Sequence, residues 1–380
     1  MKRRVFLRTL AGTFLLPVAG RGLAAASSAA AASAGLYISA RSGGPELYFL
    51  SAFDSAGKPA YDLPLPGRGH GIALRPDSAQ AVLVARRPGR FLVVFDAATG
   101  EVIHRLNSRP DRHFSGHGLF SADGRRLYTS EIDYDGKRGV IGVRDVADGY
   151  RQVDEFGSCG VEPHDLRLCR DGRVLVIANG GILTHPDFGR AKLNLDTMTS
   201  SLIYLEAGTG RRLSEHRLPP AMHQLSLRHL AVPAPDLVYV AMQYQGAPED
   251  RPPLVAMHRA GEGEIRLLQA PPAVLDQMRN YCGSVCADAS GRWIAVSSPQ
   301  GNVVTFWSTE GGEYAGEARV MDGCGVAAGT RAGEFLLSSG RGGLYRYDVT
   351  DAVMTALDGA GPSDAHWDNH MLRGPGPLRG

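Results

Sequence analysis

Short hydrophobic runs, some alternating with polar residues and some fully apolar, recur along the chain, each closed by a turn pair such as Asp-Gly or Ala-Gly. Runs of this length bounded by turn residues predict β-strands rather than helices. They come in a fixed succession. His70-Gly71-Ile72-Ala73-Leu74-Arg75-Pro76-Asp77 leads to apolar runs at 81–85 and 91–95, then the turn Asp96 to Gly100 and a fourth run at 101–106. The succession restarts 47 residues later at His117, and again after 47 at His164. Three weaker copies begin near His229, Gly283 and Gly325. Four strands in each period of about 40 to 65 residues are the pattern of propeller blades.

The chain ends complete the count. Runs at 36–40, 47–53 and 61–65 match the second, third and fourth strands of a blade, and the segment Ala365 to Leu372 matches the missing first strand. Joining the two ends in one blade closes a ring and removes two exposed sheet edges. The expectation is an all-β fold, a seven-bladed β-propeller closed by N-terminal strands pairing with the C-terminal strand. Residues 35–380 then form one domain, although a length prior of about 150 residues per domain would allow two or three.

Residues 1–34 read differently. Arg3-Arg4-Val5-Phe6-Leu7-Arg8, a modest apolar stretch to Val18 and the small residues Ala24-Ala25-Ala26 describe a cleavable export signal of the twin-arginine type. The expected location is the periplasm. With 43% hydrophobic and 21% charged residues the chain can bury a core. Its formal charge of +2 includes five basic residues and no acid in the first 26, so the remainder is slightly acidic. That balance argues against nucleic acid as a partner. No apolar run reaches the roughly 18 residues of a membrane span.

Alignment of the copies on their turns sets His70, His117, His164 and His229 at one position in four consecutive blades, with His366 and His370 in the composite blade beside them. Neutral imidazoles converging on one channel mouth are ligands for iron, copper or zinc, so these six histidines are the candidate metal ligands. The alternative is structural, each imidazole hydrogen-bonding within its own blade. At the same position the other two copies carry Cys282-Gly283 and Cys324-Gly325. The five cysteines, Cys159, Cys169, Cys282, Cys286 and Cys324, are an odd number, and Cys282 and Cys286 are spaced as buried small residues rather than as a bridge.

A long insertion, Gly180 to Asn194, falls between the second and third strands of one copy, on the face of the histidines. Shorter relatives at Glu131 to Arg138 and Gln243 to Pro252 flank it. Within the insertion His185, Asp187 and Arg190 are candidate cofactor-binding residues, because long loops of this kind are often functional. Other chemistry is missing. No C-x-x-C-H is present for a c-type haem, no Gly-rich run precedes a helix that would hold a nucleotide, and neither G-x-S-x-G nor H-E-x-x-H occurs.

Phe114-Ser115-Gly116-His117-Gly118-Leu119-Phe120-Ser121, Glu162-Pro163-His164-Asp165, the stretch Gly180 to Asn194 and Trp367-Asp368-Asn369-His370 resemble a bacterial family, domain of unknown function 1513. The resemblance extends over essentially the whole chain, and its most specific element is Thr184-His185-Pro186-Asp187 with Gly189-Arg190. It implies a fold similar to YVTN-type and quinoprotein amine dehydrogenase-like propellers. By gene association it also implies a role in iron acquisition beside imelysin-like and di-haem oxidoreductase-like partners. It supplies no catalytic residue. Three functions therefore stand: a metal- or cofactor-binding propeller, an enzyme (a metal-dependent oxidoreductase or a lactonase-like hydrolase), and a pure protein-interaction scaffold.

Overall fold

The computed structural model describes residues 35–374 apart from 77, 190 and 360–364. The proposed export signal at 1–34 lies outside the described residues, and no described helix is long and apolar enough to cross a membrane. Among the described residues there are seven four-stranded antiparallel sheets, and one short α-helix, Pro272–Met278, interrupts them. Blade 1 is the composite: His366–Arg373 is its innermost strand, followed outward by Tyr37–Ser42, Tyr48–Phe53 and Pro59–Leu65. Blades 2 to 7 follow in chain order, with innermost strands Gly69–Leu74, Arg112–Phe120, Pro163–Cys169, Leu225–Ala234, Ser284–Ala287 and Gly323–Ala328.

The two middle strands of a blade are its most buried, as in Gln80–Ala85 and Phe91–Asp96 of blade 2, while the outer strand is more exposed, as in Val353–Ala356 of blade 7. A strand covered on both faces gains from an unbroken apolar run, so these middle strands lack the alternation of a half-buried sheet. The core lies between blades rather than inside them. Ile38, Leu50 and Leu63 of blade 1 pack on Leu83, Val93 and Phe95 of blade 2. Phe53 and Trp367 of blade 1 pack on Leu336 and Leu344 of blade 7. The remaining interfaces are filled in the same way, and each innermost strand touches the next around the whole ring. Closure is therefore an apolar seam as well as a strand pairing. Tyr37 lies opposite Arg373, and Ser42 opposite His366.

Two expected loops differ. In blade 3 the second and third strands run to Asp133 and start at Arg138, so most of the expected loop at Glu131 to Arg138 is strand and only 134–137 turn. The ladder continues because Glu131 finds a backbone partner in Val140. In blade 5, Gln243 and Tyr244 likewise belong to the strand Leu237–Tyr244.

Candidate metal centre

Each of the five histidine-bearing innermost strands has an irregularity where its imidazole sits. The register of blade 2 shifts between Gly69 and Ile72, that of blade 3 between Phe114 and Gly118, and that of blade 4 between Pro163 and Asp165. Blade 5 shifts between Leu227 and His229, and in blade 1 the residues between Trp367 and Met371 bulge against Ser39 and Arg41. A bulge turns a side chain out of the alternation that a regular strand imposes. His70, His117, His164, His229 and His370 are thereby aimed at one another. Glycines supply the room. A Cβ on Gly71 would lie 2.5 Å from the Gly116 carbonyl oxygen and 2.9 Å from His117 Nδ1. Gly116, at φ +119°, would bring a Cβ within 2.5 Å of the His70 ring.

The imidazoles form a continuous cluster. Ring centroids are 4.4 Å apart for His70 and His370, 4.7 Å for His117 and His370, 5.1 Å for His70 and His117, and 4.7 Å for His229 with either His164 or His370. Two triads bring their ring nitrogens within 4.8 Å of one another, His70–His117–His370 and His117–His164–His229. His70 Nε2 and His370 Nε2 are 3.2 Å apart, close to the spacing of about 3.3 Å between tetrahedral ligands with bonds of about 2.0–2.1 Å.

The groups behind the rings distinguish the triads. His70 Nδ1 lies 2.8 Å from Asp368 of blade 1, and His117 Nδ1 lies 3.4 Å from Asp165 of blade 4. Both partners belong to a neighbouring blade, so hydrogen bonding within one blade does not describe these two histidines. A carboxylate at Nδ1 puts the proton there and turns the Nε2 lone pair inward, the arrangement that orients metal-bound histidines. Consistent with this, His117 Nε2 is buried without a hydrogen-bond partner, as is His229 Nδ1. His164 is held otherwise: Arg228 donates to its Nδ1 at 3.0 Å, which leaves its proton on Nε2. The first triad is thus prepared as a set of donors, and the second is prepared only in part.

Burial lowers the pKa of all five imidazoles. His117, His164, His229 and His370 fall well below the ordinary histidine value, helped by neighbouring imidazoles or by Arg228. In His70 the Asp368 contact opposes the shift. Burial also opposes charge on Asp368, but the His70 hydrogen bond and the nearby Arg86 and Arg68 outweigh it and hold this carboxyl well below the usual range. Burial raises Asp165, countered by Arg167 and the backbone N–H groups of Leu230 and Leu166. The result is a nest of neutral nitrogen donors that need not release protons before binding a metal near neutral pH.

Not every candidate joins this cluster. His366 stands apart: its ring is exposed, and its Nδ1 lies 2.8 Å from the Gly340 carbonyl. Three residues separate it from His370, and it joins neither triad. His185 lies in the insertion, with Nδ1 accepting from the Asp187 backbone at 3.2 Å and Nε2 3.3 Å from Asp135. Its ring meets Tyr134 edge-on, and the Asp187 carboxylate is exposed. Arg190 lies outside the described residues. All five cysteines are free thiols. Sequence reasoning missed Asp165, Asp368, Glu162 and Arg228. Asp165 follows His164 in the chain and Asp368 lies two residues before His370, but both serve histidines of other blades, and only a hydrophilic residue inside an innermost strand hinted at them.

The family described as "Protein of unknown function (DUF1513)" matches residues 63–374. No curated protein matches the chain. Among solved structures, hydrazine synthase of Kuenenia stuttgartiensis is similar, with 14% sequence identity and a TM-score of 0.55 over 83% of this chain and 93% of that one. At such identity the likeness speaks to the propeller fold alone.

Proposed function

The chain belongs to the DUF1513 family, and from that premise we propose that it is a periplasmic metal-binding propeller that takes one transition-metal ion through Nε2 of His70, His117 and His370. The observation that carries this reading is the inward-facing His117 Nε2, buried and unpaired between His70 and His370. A buried acceptor without a partner is costly, and a metal ion would satisfy it together with its neighbours. His229 is the fourth donor in reach. Imidazole suits iron, copper and zinc alike. The export-signal-like start and the family's gene associations favour periplasmic iron handling. Because His117 belongs to both triads, one nitrogen cannot complete two sites, and a single ion per chain is expected.

The three-histidine set also favours a second reading, a metal-dependent enzyme. With His229 outside the first triad, three protein ligands leave a coordination position free for water or substrate, as catalytic sites do and closed structural sites do not.

The test is elemental analysis of the full protein purified from a host that exports it, with thermal unfolding before and after chelator. About one ion per chain is expected, together with a fall in the unfolding temperature on chelation, since a ligand bound only to the folded state stabilises it. Substoichiometric metal with unchanged unfolding in chelator would overturn the reading. The identity of the retained metal decides whether iron is the physiological ion.

A further inference from the structure

The charges around the histidines do not balance. Arg68 and Arg86 flank Asp368, Arg167 pairs with Asp165, and Arg87 and Arg228 share Glu162. Five guanidiniums thus face three carboxylates, a surplus of two positive charges before any cation binds. The surplus divides, one charge at Asp368 and one at Glu162, and Lys192 of the insertion adds to the second. There Glu162 Oε1 accepts from Arg228 at 2.5 Å and from Arg87 at 2.7 Å. The insertion reaches the same place: Thr184 Oγ1 lies 3.4 Å from Arg87 NH1, and farther along it Lys192 contacts Gln245, which follows the second strand of blade 5.

We propose that Arg87, Arg228, Lys192 and the Thr184 hydroxyl form an oxyanion site beside His164, for a ligand bearing a carboxylate or phosphate group. The two arginines come from blades 2 and 5, yet both converge on one carboxylate, which can neutralise only one of them, and Thr184 and Lys192 come from the one long loop. Several donors are left over. Arg228 Nε is buried without a partner, in a side chain only 6% exposed. Arg87 engages Glu162 and Thr184 through the same nitrogen, leaving the rest of its planar fork, which suits a carboxylate or phosphate. Lys192 bears the consequence of the crowding. The residue is exposed at the surface, yet partial desolvation and the charges of Arg228 and Arg87 lower its pKa, with Glu162 opposing. A bound anion would relieve this repulsion. The backbone is built around the station too: Glu162 adopts φ +57°, unusual for a residue with a side chain, and a Cβ on Gly180 would sit 2.8 Å from Glu162 Oε2.

This site goes beyond the metal reading and stands whether or not an ion is held, so it is tested on chelator-treated full chain by calorimetric titration with potassium oxalate and, separately, inorganic phosphate at low ionic strength. Wild-type protein is expected to bind at least one of them with a dissociation constant below about 1 mM. Lys192→Gln is expected to weaken that binding about tenfold or more, and Lys192→Arg to restore most of it. Lys192 lies on the insertion rather than in a blade, and matching unfolding temperatures of the variants and the wild type verify that the fold is kept. Tighter oxalate assigns the site to planar carboxylates, and tighter phosphate to tetrahedral oxyanions. Binding of neither anion with a dissociation constant below about 1 mM, or equal binding by wild type and Lys192→Gln, overturns the proposal. Failure of the metal reading would leave these titrations unchanged, so the two can fall separately.

Discussion

Blades 1 to 5 and blades 6 and 7 share one repeat, yet around the start of the innermost strand the first group carries histidine and the second cysteine. A bulge alone does not separate them. Blade 6 is regular along Ser284–Ala287, but blade 7 shifts between Gly323 and Val326 much as the histidine blades do. The difference lies in what stands behind the side chain. His70 and His117 have carboxylates at Nδ1 from an adjoining blade. Cys324 Sγ faces the carbonyls of Asp322 at 3.0 Å and Trp367 at 3.3 Å, and Cys282 Sγ that of Leu254 at 3.7 Å. Carbonyl oxygens hold the thiol proton in place, and burial pushes the Cys282 thiol up to about 12 and raises that of Cys324 as well. A thiol ligates as thiolate. One repeat position thus yields neutral donors on one side of the ring and protonated spectators on the other, and the second layer decides which.

The strongest way to break this contrast is at the histidine shared by both triads. His117→Ala removes the unpaired Nε2 and a ligand of either set, so metal affinity is expected to fall on the order of 100-fold or more, beyond what loss of an outer-layer partner costs. Competition against a chromophoric chelator measures it. The metal-free fold should change little, because the truncated ring includes a buried acceptor that lacks a partner. Retention of wild-type affinity would place the ion elsewhere.

How much of this was legible in the chain follows from the range of the interactions. The blades could be read because strand period and turn residues are local, and the composite blade because Trp367-Asp368-Asn369-His370 completes a visibly truncated copy. The recurrence of histidine at one repeat position was equally local. The bulges were not read, although Gly71, Gly116 and Gly118 beside the imidazoles carried their signal. His366 was grouped with His370 because membership of a strand says nothing about height along it. Asp165 escaped notice since it adjoins His164 in the chain but serves His117 across a blade boundary. Contacts between blades have no fixed spacing, so the layer that prepares the donors is the least legible part of the molecule.

Acid sharpens the same contrast. The five histidines have folded-state pKa values below the ordinary value near 6.5. Between that value and their lowered folded values the unfolded chain binds more protons than the folded one, so stability is present in full above pH 6.5 and drains as pH falls beneath it. The loss approaches about 1.4 kcal/mol per histidine for each pH unit, until ring protonation in the folded state intervenes. Denaturant unfolding of metal-free protein at pH 7.5 and 5.5 measures it. His117→Ala should show a shallower fall than wild type, whereas a cysteine variant should keep the wild-type slope, because thiols with raised pKa are protonated in both states throughout this range.

The smallest effect belongs to blade 7. Cys324→Ala removes one buried sulfur and its weak contacts with the Asp322 and Trp367 carbonyls. The neighbouring backbone loses only a weak donor, so the cost is the small cavity, about 1 kcal/mol. In a chain of this size that lowers the unfolding temperature by no more than about 2 °C. The metal-to-protein ratio should equal that of wild type, since the thiol proton is held by carbonyls and nothing near it favours the thiolate. Elemental analysis beside a thermal melt checks both parts. If Cys324→Ala were to strip the ion, the thiol would have to ligate as thiolate in spite of its burial, and the ring would act as a mixed nitrogen and sulfur site in which the two groups of blades no longer differ.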